Sequence, residues 1–148
     1  MSSTHCALHY HLVFGTKNLD AMIHEEWRQR LHAYLGGTVK AADGIPMAIG
    51  GVANHVHLLV GLRPTHQLSE LLRDIKRQSS AWVHQEIHER LFQWQDGYGA
   101  FTVSTSRIQA IRDYIEGQEE HHRTKTFQEE YLAFLKKNGV EYDSRYLC

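Results

Sequence analysis

Along the first fifteen residues the apolar positions alternate, with Leu8, Tyr10, Leu12 and Phe14 separated by His9, His11 and Val13. A period of two puts those four on one face, so residues 9–15 ("HYHLVFG") read as a strand. The spacing then turns helical. Trp27, Leu31, Tyr34 and Leu35 make a stripe through "HEEWRQRLHAYLGG", and Gly36-Gly37 predicts its end. "GIPMAIGGVA" (44–53) is a second strand, with Pro46 near its start and a glycine pair that predicts a bulge or bend. "HVHLLVGL" (55–62) is a third, and the short Ala53-Asn54 link makes the two a hairpin. Leu68, Leu71, Leu72, Ile75, Ser79 and Trp82 trace the buried side of a long helix over 66–87. "GYGAFTVS" (97–104) reads as a fourth strand. A helix over 106–123 follows, with Ser104, Thr105 or Ser106 as its cap, and then a last helix over 127–139, closed by Asn138-Gly139.

The order is βαββαβ and two further helices. That is an α+β, ferredoxin-like core: an antiparallel sheet with helices packed on one face, plus C-terminal helices, one of them carrying Tyr114. Residues 1–148 contain no repeat, low-complexity tract or Pro/Ser-rich linker, and read as a single domain. The longest apolar stretch, 45–60, is interrupted by Gly50, Gly51, Asn54 and two histidines, which excludes a transmembrane helix. The start lacks a basic segment followed by an apolar one, so no secretory signal is expected. Cys6 and Cys148, at opposite ends, fit a reducing cytoplasm. The net charge of −1 excludes a uniformly basic molecule, so any nucleic-acid contact must rest on local patches.

Histidine is over-represented, with twelve residues, and position has to select among them. In "NHVHLLV" (54–60), His55 and His57 share one strand face, where two imidazoles either pack in the core or chelate one ion. His9-Tyr10-His11 repeats the spacing, so spacing alone does not decide. Tyr114 and Gln118 lie four residues apart on one helix face, with His121 and His122 roughly a turn further. Either Tyr114 is a packing residue and Gln118 is solvated, or Gln118 supplies a third ligand through its amide oxygen and Tyr114 stands beside the metal. In the second case the phenol can attack a metal-bound phosphate in line, with a 3′-oxygen leaving.

His55-Val56-His57 is a histidine–hydrophobic–histidine ("HUH") motif, and "YIEGQ" sets a glutamine four residues after a tyrosine. With "YHLVFGTKN", "WQDGYGAFTVS", "YIEGQEEHHR" and the closing "RYL", the chain resembles the single-tyrosine HUH transposases of bacterial insertion sequences, which move single-stranded DNA. The resemblance spans nearly the whole chain. It implies a divalent metal ion (Mg²⁺ or Mn²⁺), a homodimer, and recognition of DNA hairpins at element ends. It also implies His55, His57 and Gln118 as metal ligands, Tyr114 as nucleophile, and a bacterial cytoplasmic protein that meets the nucleoid when bound to DNA. By the same likeness His9 and His11 are packing or phosphate-facing residues. His121 and His122 are read as structural or as supporting the site, by a proton relay or at an exposed helix end, rather than as ligands, because His55, His57 and Gln118 already leave open positions for phosphate and water.

DNA-binding candidates are Arg73, Lys76 and Arg77 on one helix face, Lys17 in the loop after the first strand, and Arg107 near the tyrosine. Trp94 and Tyr98 are either core residues or base-stacking ones. The function this predicts is cleavage and rejoining of single-stranded DNA through a covalent 5′-phosphotyrosine. The competing classes are a hairpin-DNA binder without catalysis, a nickase of the replication-initiator or relaxase type, and a small zinc hydrolase. The last requires a carboxylate beside the metal, for which Glu119 and Glu120 are the nearest candidates.

Overall fold

A computed structural model describes residues 3–143. Four strands, β1 (Leu8–Gly15), β2 (Ile45–Val52), β3 (His55–Leu62) and β4 (Gly99–Thr102), form one antiparallel sheet in the order β2-β3-β1-β4. β3 is a near-continuous apolar run because it is interior and covered on both sides; all of it except Leu62 is buried. Residues of one parity, Leu12, Phe14, Val56, Leu58 and Val60, meet α1 (Glu25–Ala41) and α2 (Leu68–Trp82) through Leu31, Leu35, Leu72 and Ile75. Those of the other parity meet the C-terminal helices α3 (Ile108–Glu116), α4 (Gln118–His121) and α5 (Phe127–Lys137). There Ala48, Leu59 and Val103 pack with Ile115, and Val13 and Phe101 with Phe127 and Leu135. The ferredoxin-like core is thus present, and its second sheet face is closed by the helices that follow it.

Several boundaries differ from the periodicity reading. α1 runs through Gly36-Gly37 and ends only at Ala41, with Asp43 in the left-handed region (φ 67°). Gly36 sits where the helix crosses β2, and a Cβ there would lie 3.2 Å from Ile49 Cδ1. The Gly50-Gly51 pair is in regular register opposite His57 and Val56, while the irregularity falls between Pro46 and Ala48. Gly50 is required instead by close approach, since a Cβ would collide with the carbonyl of Ile115 on α3. α2 ends at Trp82 and passes through a π turn, Val83–Ile87, to a left-handed His88. The helix expected over 106–123 breaks at Gly117 into α3 and α4. α5 starts with a capping box between Thr126 and Glu129. The "RYL" segment and Cys148 lie outside the described residues.

Candidate metal and nucleophile site

β3 turns His55 and His57 toward the C-terminal helices, where both are fully buried. Their burial there is a matter of parity: Val56 and Leu58 occupy the α1/α2 face, so the histidines take the other. His55 stacks on Phe127 of α5, with ring centroids 4.2 Å apart. The break at Gly117 does not separate Tyr114 from Gln118. Gln118 Oε1 lies 3.0 Å from His55 Nε2, and its Nε2 reaches back to the Tyr114 carbonyl at 3.4 Å. The structure therefore brings His55, His57, Gln118 and Tyr114 of one chain together.

It also brings in three residues that the spacing did not assign to the site's centre. Glu130, on α5, is 2% exposed. Its Oε1 lies 2.9 Å from His57 Nε2, 3.2 Å from His122 Nε2 and 3.5 Å from His55 Nε2. Its Oε2 accepts from the Tyr114 hydroxyl and, at 3.2 Å, from Gln118 Nε2. His122 Nε2 also lies 3.1 Å from Gln118 Oε1, so this residue joins the cluster directly, whereas His121 packs its ring on Tyr114 at 4.5 Å. His11, expected only to pack or face phosphate, is buried and pairs with the far nitrogen of His57, Nε2 to Nδ1 at 2.7 Å. His9, on the same face, keeps a buried Nδ1 without a side-chain partner.

One signal for Glu130 was present in the chain. Phe127, Glu130, Tyr131, Phe134 and Leu135 share the inward stripe of α5, so an acid occupies an apolar position. A carboxylate does stand beside the imidazoles, but it is neither Glu119 nor Glu120. Those two are exposed and pair with Arg28 and Arg123.

Electrostatics set the protonation of the cluster. Burial pushes His11 down to about 3, assisted by the charge of His57, and burial lowers His55 to about 4. Glu130 is opposed by burial, yet hydrogen bonds from His122, His55 and His57 hold its carboxyl far below the usual carboxylate range. Burial and the neighbouring Glu130 raise the Tyr114 phenol well above its ordinary value. Burial, the largest single influence, would lower His122, but the hydrogen bond and charge of Glu130 together with the bond to the Lys125 carbonyl raise it on balance.

The donor set fits a cation. His122 Nδ1 donates to the Lys125 carbonyl at 2.7 Å, so in the neutral ring Nε2 carries the lone pair. That lone pair faces the oxygens of Gln118 and Glu130. His55 repeats the pattern, with Nδ1 on Asn54 Oδ1 at 2.8 Å and Nε2 on the same oxygens. Converging lone pairs need protons or a metal ion among them. Ligand atoms of His55, His122 and Glu130 all lie within 4.8 Å of one another. Imidazoles whose outer nitrogen is held by a carbonyl, an amide or another ring are arranged as metal ligands usually are.

Tyr114 opens on a cleft of about 270 Å³. Glu130 forms part of its wall, and the exposed cations Arg107, Lys125 and Lys137 ring it. The other DNA-binding candidates lie elsewhere. Arg73 and Arg77 are exposed on α2 and flank Asp74, and Lys17 is exposed after β1. Lys76 points another way: its ammonium donates to the Gln95 and Gly97 carbonyls, pinning the loop before β4, and burial lowers it to about 8. Trp94 is a core residue, its indole N–H donating to Ser79 Oγ at 2.9 Å. Tyr98 packs against the same core.

The fold has known relatives. A putative transposase from Deinococcus radiodurans R1 superposes with a TM-score of 0.63 at 24% identity, covering 80% of this chain and 95% of that one. A REP-associated tyrosine transposase bound to a REP hairpin gives 0.56 at 16% identity, covering 78% and 70%. Curated proteins give no significant match. The sequence profile of the family described as "Transposase IS200 like" matches residues 4–118, a span that holds His55, His57, Tyr114 and Gln118. The chain therefore belongs to the IS200-like transposase family.

Proposed function

We propose that this transposase cuts and rejoins single-stranded DNA at hairpin-bearing element ends, using Tyr114 as nucleophile and a divalent ion, Mg²⁺ or Mn²⁺, held by His55, His57 and Gln118. The observation that carries this reading is the Tyr114 hydroxyl, which sits on the same carboxylate as the imidazole cluster and faces a cleft ringed by Arg107, Lys125 and Lys137. A bound ion would polarise a non-bridging phosphate oxygen. The cations hold the phosphodiester against the phenol, whose oxygen gives up its proton to the Glu130 carboxylate it donates to and bonds to phosphorus, as the 3′-oxygen departs and takes up a proton. The resulting 5′-phosphotyrosine keeps the ester bond energy, so a second 3′-hydroxyl can displace Tyr114 without a nucleotide cofactor.

Hairpin DNA is favoured as substrate because a fold relative is bound to a REP hairpin. Lys17, Arg73, Arg77 and Arg107 are proposed to contact its backbone, with Lys76 acting on the loop it pins. The functional unit is proposed to be a homodimer acting on DNA in a bacterial cytoplasm. Incubating the protein with hairpin-bearing single strands and Mn²⁺ should give a denaturation-resistant protein–DNA adduct. Tyr114→Phe should abolish the adduct, and His57→Ala should lose cleavage while retaining binding. An adduct that survives Tyr114→Phe would remove the nucleophile assignment. Hairpin binding with no adduct across many end sequences would instead identify a non-catalytic binder.

A further inference from the structure

We propose that Glu130 of α5 is the anionic ligand of the metal centre, with Oε1 on the ion and Oε2 on the Tyr114 hydroxyl, so that one carboxylate joins metal and nucleophile. This rests on the reading of His55 and His57 as metal ligands and adds a residue beyond the 4–118 span that defines the family match.

Three observations carry it. First, the two oxygens of Glu130 face different partners. Oε1 meets the Nε2 atoms of His57, His122 and His55 at 2.9, 3.2 and 3.5 Å, while Oε2 takes hydrogens from Tyr114 and Gln118. Second, the carboxylate is almost completely buried, and among the described residues its ion-pair partners are three histidines, with no lysine or arginine among them. A buried charge is costly unless it is balanced, and a cation shared with the imidazoles would balance it here. Third, Glu130 occupies an inward position of α5 otherwise filled by Phe127, Tyr131, Phe134 and Leu135. An apolar residue there would extend the core, whereas a carboxylate has a use only if something in the site needs an anion.

A carboxylate added to imidazoles and an amide oxygen makes a mixed oxygen and nitrogen set suited to Mn²⁺ and other first-row ions as well as Mg²⁺. Contact through the second oxygen fixes the phenol beside the ion, which is the placement that in-line attack demands. Since Glu130 comes from α5, the centre is completed only when α5 is docked on the sheet.

Calorimetric titration with Mn²⁺ tests this, using wild type, Glu130→Gln, Glu130→Asp and Tyr114→Phe, each checked for folding by its thermal transition. Tyr114→Phe, which deletes a hydrogen bond to Oε2 but no ligand atom, should weaken binding less than Glu130→Gln does. Glu130→Gln should bind more than about 100-fold more weakly, beyond the 10- to 100-fold typical of losing a group that merely supports a ligand. Glu130→Asp, which keeps the charge but shortens its reach, should fall between and decides the matter if the glutamine variant does not fold. A loss of about 100-fold or less in the folded glutamine variant, or unchanged affinity in the aspartate variant in its place, overturns Glu130 as a ligand and leaves the histidine metal site standing. Failure of wild type to bind Mn²⁺, with His57→Ala no different, overturns the metal reading itself and this inference with it.

Discussion

His57 is engaged at both ring nitrogens, by Glu130 at Nε2 and by His11 at Nδ1, and the second contact has a plain consequence. The hydrogen bond across Nδ1 selects the tautomer that leaves Nε2 free to ligate and fixes the ring plane. Replacing His11 by Phe keeps an aromatic ring among Phe101, Phe134 and His57 but deletes that hydrogen bond. Mn²⁺ affinity, read by calorimetry, is expected to fall 10- to 100-fold with little change in the unfolding midpoint. The repeated His-x-His of β1 was legible in the chain, but its use was not. His11 meets His57 because β1 and β3 pair with His11 opposite Leu59 and Val13 opposite His57, a register set by long-range pairing.

At the scale of elements, α3 carries Tyr114 only as well as it is seated on β2, and Gly50 is the seat. Gly50→Ala places a methyl group against the Ile115 carbonyl, so α3 must lift. The expected cost is about 1–3 kcal/mol in urea unfolding, together with loss of the DNA adduct as Tyr114 leaves the cluster. Gly37→Ala is the contrasting case. It is exposed, inside α1, and a Cβ there meets nothing within 4 Å, so it should stabilise by about 0.5–1 kcal/mol. Both glycines belong to pairs read from the sequence as punctuation, one as a helix stop and one as a bulge. Neither reading survives: Gly36 and Gly50 sit where elements cross closely, and a glycine admitted for close approach looks the same in sequence as one admitted for a turn.

Across the whole molecule the buried histidines make stability depend on pH. Besides His11 and His55, His32 on α1 is lowered to about 4, by burial first and then by Arg28. Each of the three is neutral in the fold down to about pH 4 or below, but takes a proton in the unfolded chain below its ordinary 6.5. The unfolded state therefore binds more protons between about pH 6.5 and 4, and stability falls as pH falls through that window. His122, raised in the fold, works in the opposite sense, contributing stability below 6.5 that is lost as pH rises through its folded value. Glu130, held low, adds a further loss below about 4.5. Three groups outweigh one, so metal-free protein in EDTA should lose stability on acidification from pH 6.5 to 4.5. The slope is at most about 1.4 kcal/mol per pH unit for each unopposed histidine. His32→Leu, on α1 and outside the hydrogen bonds of the cluster, should flatten the profile; an unchanged slope in denaturant titrations at several pH values would remove His32 from the account. Among the described residues no helix is long and apolar enough to cross a membrane, in line with the interrupted apolar stretch around the glycines.

Sequence periodicity by itself determined the strands and helices of the core, their order and hence the ferredoxin-like sheet, because alternation and helical stripes are local consequences of burying one face. The pair His55 and His57 on one strand face, and Tyr114 four residues before Gln118, were equally local and so were readable. What only the tertiary structure decided is who joins them. Glu130 and His122 arrive on segments that pack across the second sheet face, and His11 arrives by strand register. Lys125 and Lys137, which complete the cationic rim with Arg107, come from the two ends of the α5 region. These meetings depend on how the C-terminal helices dock, through contacts between residues far apart in the chain, and no periodicity along the sequence encodes them.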